Sequence, residues 1–216
     1  MNLGALVAQR LREMILRRTL RDGERLLEEN LAAQFSVSRG PIRDAFKQLE
    51  REGLARGRGR GVYVVGLSSE GIRDLYDLRK VLELLAISET ADRASAEQFA
   101  QLHACVAQMR RAAREDDHET FADADVAFHG LLFSISANHW LADVWNQYLP
   151  ILATILQSAV GQEVQLHQSA EDHNTLLELI QAGGDRAADE ASDHIDRSRD
   201  RTIAAYERLS AREAAG

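Results

Sequence analysis

SVSRGPIRDAFKQLEREGL, from Ser36 to Leu54, sets a proline beside a glycine where an apolar helical period begins. Ser38 is a good N-cap residue, and Pro41 falls in the first turn of the helix that follows, where its missing N–H costs nothing. Ile42, Ala45, Phe46 and Leu49 recur at helical spacing and form a face to be buried. Arg39, Arg43 and Lys47, four residues apart, form a separate outward face. Upstream, the pattern predicts a short helix over about Glu28 to Gln34 and then the tight connection FSVS. Two short helices joined by a tight turn, the second carrying a basic stripe, make a helix-turn-helix. A helix lying in the major groove uses arginines near its N-terminus, because a guanidinium fork pairs with guanine O6 and N7 or with phosphate oxygens.

Further out, Leu3, Val7, Leu11, Met14 and Ile15 predict a first helix over roughly Leu3 to Arg18, followed by a turn around Gly23. Downstream, GLARGRGRGVYVV places two short strand-like pieces around an Arg/Gly tip, the pattern of a hairpin wing. Arg56, Arg58 and Arg60 alternate there with glycines that let the backbone approach a groove closely. A basic stripe alone is common on solvated helices. The order of tight turn, serine cap, stripe and Arg/Gly hairpin is what points to DNA. The strand-like flanks weigh against an RGG-type RNA segment.

RLLEENLAAQFSVSRGPIRDAFKQLEREGL followed by GRGVYVV resembles the winged-helix domain of GntR-type bacterial transcription regulators. The resemblance implies DNA contacts by Ser38, Arg39, Gly40 and Arg43, beside the stripe residue Lys47 and the wing residues Arg58 and Arg60. One departure stands out: the family usually has an arginine where this chain has Glu29.

Charge is unevenly spread over the 216 residues. Residues 1–66 carry 13 Lys and Arg against 8 Asp and Glu, and residues 67–216 carry 13 against 26, for a net −8 overall. A basic head on an acidic body suggests two domains with different partners, since a polyanion attracts one and repels the other. The single cysteine, Cys105, lies in the helical run LHACVAQM and reads as an inert core thiol. There is thus no disulfide framework, and a reducing compartment is expected. No signal-peptide pattern is visible at the N-terminus. The longest charge-free run, between Asp143 and Glu163, contains Asn146, Gln147, Pro150, Gln157, Ser158 and Gln162 and reads as a buried helix, not a membrane span. A cytoplasmic protein with no membrane partner is expected.

From about Ser69 the chain reads as helix, with breaks near Ser95, Asp116, Asn138, Gly161 and Gly183–Gly184, giving six or seven helices; LSAREAAG reads as a frayed tail. The expected fold is mainly α: a winged helix-turn-helix domain over 1–66 and an all-α helical bundle over 67–216.

Within the body, FADADVAFHGLLFSI puts Asp125 on the apolar stripe of Phe121, Phe128, Leu132 and Ile135, with His129 one turn later. A carboxylate on such a face needs a partner, since burying it bare is expensive. Asp and His at this spacing can share a metal or form a hydrogen-bonded structural pair. His173 lies ten residues before Gly183 and His194 ten residues after Gly184, so equal arms of an antiparallel hairpin would bring both imidazoles to one height. Three imidazoles and a carboxylate suit a divalent transition metal such as zinc or nickel. Arg79 shares a helix face with Leu75, Leu82 and Ala86; it either clamps a carboxylate ligand or pairs with an acidic residue. Asn138 either lines a pocket or caps a helix C-terminus.

The body resembles the all-helical ligand-binding (FCD-type) domain of the FadR-like branch of the same family. That resemblance implies a divalent metal on Asp125, His129, His173 and His194, and an effector that is a small carboxylate or sugar acid, with Arg79 as a contact. The reading reached is an effector-responsive transcription regulator, a repressor acting as a homodimer on operator DNA. Two rivals are a metal-dependent enzyme on the Asp/His site and an architectural DNA-binding protein with an inert body. Against the enzyme, no nucleophile or separate general base accompanies the four residues on the apolar stripes.

Overall fold

The structure, a computed structural model, describes residues 2–160, 166–183 and 186–214. The chain divides into two compact units, with the boundary between Ser68 and Ser69.

The first unit opens with α1 (Leu3–Leu16), capped by the Asn2 side chain, which accepts the Ala5 N–H at 2.8 Å. Its buried face is Val7, Ala8, Leu11, Ile15 and Leu16; Leu3, expected on that face, is 49% exposed. Next come β1 (Arg25–Leu26), α2 (Glu28–Gln34) and α3 (Arg39–Arg51). Ile42, Ala45, Phe46 and Leu49 of α3 are buried, as their period requires. Ser38 occupies the N-cap position in extended backbone, but its hydroxyl makes no capping hydrogen bond, contrary to the sequence expectation. Arg12, buried on α1, grips Glu52 at the end of α3 with two parallel bonds of 2.8 and 2.7 Å, fixing α3 on the core.

The wing is β2 (Ala55–Arg58) and β3 (Gly61–Val64), antiparallel in the register Ala55↔Val64 to Arg58↔Gly61. Its tip turns at Gly59, whose φ of +59° suits a residue without Cβ. β1 adds to the free edge of β3, giving the order β1-β3-β2. That third strand was not expected, because two residues carry no readable alternation.

The second unit is a helical bundle: α4 (Ser69–Arg93), α5 (Ala96–Glu115), α6 (His118–Ile135), α7 (His139–Val160), α8 (Leu166–Ala182) and α9 (Arg186–Ala214). The expected breaks at Ser95, Asp116 and Asn138 have local causes. Ser95 and Gln98 form a reciprocal capping box, with bonds of 2.9 and 3.2 Å. Asp116 ends α5 in left-handed backbone. Asn138 accepts the Leu141 N–H at 3.2 Å and so caps the start of α7. Ser95→Ala should lower stability by ~1 kcal/mol, read from chemical denaturation, because one cap bond is lost at an exposed helix start.

The break near Gly161 and the Gly184 side of the hairpin lie outside the described residues. Gly183, at φ +74°, terminates α8. α9 runs as helix to Ala214, where a frayed tail was expected. Among the described residues no helix is long and apolar enough to cross a membrane. Cys105 is half-buried instead of in the core, and burial pushes its thiol pKa up, away from reactivity.

Candidate DNA-binding face and metal centre

On the first unit, Ser38, Arg39, Gly40, Arg43 and Lys47 are all exposed along one side of α3. The wing arginines Arg56, Arg58 and Arg60 are exposed as well. Each cation of the α3 stripe meets an acid. Arg43 Nε donates to Glu28 Oε2 at 2.9 Å, Arg39 Nη2 donates to Glu29 Oε1, and Lys47 Nζ lies 3.9 Å from Asp44.

In the second unit, Asp125 and His129 come from α6, His173 from α8 and His194 from α9, each buried. The three histidines converge, and Asp125 lies against two of them. One ring nitrogen from each of His129, His173 and His194 lies within 4.8 Å of the other two. His173 Nε2 is 3.0 Å from Asp125 Oδ1 and 3.3 Å from His129 Nε2, and Asp125 Oδ2 is 4.0 Å from His129 Nε2. The His173 and His194 rings meet edge to face at 4.4 Å, as equal hairpin arms suggested.

α4 supplies two more buried groups. Arg79 Nε donates to Glu83 Oε1 at 2.6 Å, and Glu83 Oε2 approaches His129 Nδ1 to 2.9 Å, too poorly aligned for a hydrogen bond. Arg79 was read as a ligand clamp or as half of an ion pair; the ion pair is what forms, with the guanidinium also 5.4 Å from the Tyr76 ring centroid. Its Nη1 remains buried with no hydrogen-bond partner. Glu83 was missed in the sequence. The signal was there: an acid four residues after an arginine on a helix is a pairing distance. The buried face of α4 runs through Ile72, Tyr76, Arg79, Glu83 and Ala86, not through the half-buried Leu75 and Leu82.

The electrostatics follow from burial. Desolvation opposes the charge on Glu83, but the Arg79 guanidinium and then His129 outweigh it and hold the carboxyl at about 2. Desolvation likewise opposes Asp125, and His173, His129 and Arg79 pull it well below the usual carboxylate range. Burial depresses His129, with Arg79 reinforcing and Glu83 opposing. Burial again, then the neighbouring His173, His129 and Arg79 charges, depresses His194 strongly. The arginine itself is raised, its desolvation overcome by Glu83.

The residues fit a cation. His173 Nδ1 lies 2.7 Å from the Ser169 carbonyl oxygen and donates there, which turns Nε2 toward Asp125 and His129. Several acceptors then crowd one point. His194 is buried with neither ring nitrogen hydrogen-bonded, a costly arrangement unless a metal takes one of them. Two buried carboxylates, Asp125 and Glu83, face one buried guanidinium, leaving a negative balance that a divalent ion would reverse.

A winged helix-turn-helix with an exposed basic stripe, in one chain with a helical unit that holds a buried ligating cluster, is the architecture of a DNA-binding transcription regulator. Residues 3–64 match the family described as bacterial regulatory proteins, gntR family, and residues 74–197 match the FCD domain. The chain belongs to the gntR family of bacterial regulators, with an FCD C-terminal domain. It is 30% identical over 176 residues to the gluconate operon transcriptional repressor of Bacillus licheniformis, covering 81% of this chain and 71% of that one. It is 27% identical over 173 residues to a probable D-xylose utilization operon transcriptional repressor of Paenarthrobacter nicotinovorans, covering 80% and 76%. A solved GntR family member from Pseudomonas syringae superposes with a TM-score of 0.58 at 25% identity, over 99% of this chain and 88% of that chain. Escherichia coli McbR/YncC shares the fold, with a TM-score of 0.71 at 18% identity over 97% and 99%.

Proposed function

We propose that this chain is a homodimeric, operator-binding repressor whose FCD unit holds a divalent transition metal and senses a small carboxylate or sugar acid. Asp125, His129, His173 and His194 hold the metal, and their nitrogen-rich donor set favours zinc or nickel. When bound, such an ion would supply positive charge toward ligand oxygens. Arg79 presents its Nη1 to the same ligand, in a charge-assisted bond that selects acids over neutral analogues. Asn138 is left out of the effector contacts, because its amide oxygen is committed to the α7 cap. The observation that carries the reading is the pair of unpartnered buried donor groups, Arg79 Nη1 and the His194 ring. The gluconate-operon relative supports a sugar acid as the ligand class.

Ser38, Arg39, Gly40, Arg43, Lys47, Arg58 and Arg60 form the DNA face. A dimer presents two such faces, and two half-sites supply the contacts that one small module lacks. Arg39→Ala/Arg43→Ala should weaken binding to a selected duplex by ~1–3 kcal/mol per lost base contact, read by fluorescence anisotropy. Calorimetric titration of gluconate and related acids, with and without that duplex, tests the sensing. Linkage requires DNA to weaken acid binding by the factor by which acid weakens DNA binding. Equal acid affinities in the two titrations would refute control of the head by the body.

A further inference from the structure

Glu28 and Glu29 open α2, and each takes one of the two arginines of the α3 stripe. Three of the four side chains lie largely in water, Arg39 at 56% exposed, Arg43 at 59% and Glu29 at 72%, while Glu28 is half-buried at 32%. Arg39, Glu28 and Glu29 border a groove of about 450 Å³ that also takes in the wing residues Gly59 and Arg60. The face that meets DNA is therefore not a bare cationic stripe. Exposed ion pairs are weak, so the carboxylates hold the arginines loosely and give them up at small cost.

We propose that Glu28 and Glu29 are specificity-determining residues of the DNA face. They keep Arg39 and Arg43 off generic phosphate and release them to a guanine edge. The inference rests on the reading of Arg39 and Arg43 as DNA contacts. Its physical basis is competition for the guanidinium. An arginine that leaves its glutamate for a phosphate strands a carboxylate beside the polyanion, and like charges brought together are penalised. An arginine that leaves for guanine moves to a base edge without net charge, which offers O6 and N7 as two acceptors matched to its fork. The freed carboxylate then has a use of its own, because the N4 amino group of a cytosine in the same groove donates to a glutamate. Both glutamates thus tax phosphate binding more than base reading. Non-specific affinity is almost wholly electrostatic, so the tax falls hardest there.

The test uses full-length Glu28→Gln/Glu29→Gln, whose substitutions lie at the surface. It is compared with the wild-type chain on two duplexes of equal length: one selected from a random pool by the wild-type protein, and its scrambled version. Anisotropy titrations at several salt concentrations give both affinities and their slopes. Affinity for the scrambled duplex should rise about ten-fold, with a salt slope steeper by up to ~2, as two more phosphates become neutralised. Affinity for the selected duplex should rise much less or fall, so that the ratio of the two drops several-fold. A ratio that stays within two-fold of wild type, or that increases, overturns the proposal. Equal gains on both duplexes would make the glutamates a general charge brake. An Arg39→Ala/Arg43→Ala arm separates the two layers. If that variant binds both duplexes like the wild-type chain, the DNA face itself has been misassigned. If it loses affinity while the glutamine variant keeps its ratio, only the role of the glutamates fails.

Discussion

Arg79→Met should destabilise the helical unit by ~3–5 kcal/mol, the usual loss when one partner of a buried ion pair is removed. The Arg79 side chain is 2% exposed and Glu83 is fully enclosed, so water cannot replace the guanidinium. Without it, the buried Glu83 carboxylate loses its only fixed cation and keeps His129 as its one close partner. It must then either stay charged at high cost or take up a proton, and both outcomes lower stability at neutral pH. Urea denaturation in the presence of a chelator isolates this term from any metal. Arg79→Met/Glu83→Leu should recover most of the loss, because the two desolvated charges leave together, and a double-mutant cycle gives their coupling. If Arg79→Met unfolds at the wild-type urea concentration, the pair contributes no stability and ligand contact is the arginine's whole role.

Stripping divalent metal from the protein should lower its unfolding temperature by ~10 °C. An ion present at 100 to 1,000 times its Kd adds ~3–4 kcal/mol, and in a chain of this size each kcal/mol moves the midpoint by ~2–4 °C. The stabilisation arises because the folded unit gathers the three imidazoles within 4.8 Å, an arrangement that the unfolded chain lacks. His194→Ala should remove most of the shift while leaving the fold intact, since the histidine makes no hydrogen bond whose loss would be felt. Differential scanning fluorimetry with zinc, nickel and chelator reads all of this. No response to any divalent ion would leave the cluster a purely structural group.

The candidate DNA face and the buried histidine cluster differ in how far each could be read from the chain. The α3 face of Ile42, Ala45, Phe46 and Leu49 was legible because burial there follows a 3.6-residue period set within the segment itself. α2 came out at its observed bounds, Glu28–Gln34, although it buries only Leu31. The Asp125–His129 spacing and the equal distances of His173 and His194 from the glycine pair also lay in the chain. What they meant depended on α6 and the α8–α9 pair packing together. β1 escaped notice because two residues carry no pattern, and only the free edge of β3 makes them a strand.

From the sequence by itself came the winged helix-turn-helix, the helical body, the basic stripe and the four candidate ligands. Each is encoded by neighbours three or four residues apart or by a count along the chain. Tertiary structure alone decided which charges meet. It set Glu28 and Glu29 against Arg43 and Arg39, closed His173 onto Asp125 across 48 positions, and brought Glu83 on α4 against His129 on α6. The physical reason is range. Periodicity and capping act within a turn of helix, whereas a buried charge is paired by whatever the packing of distant helices brings within about 4 Å of it.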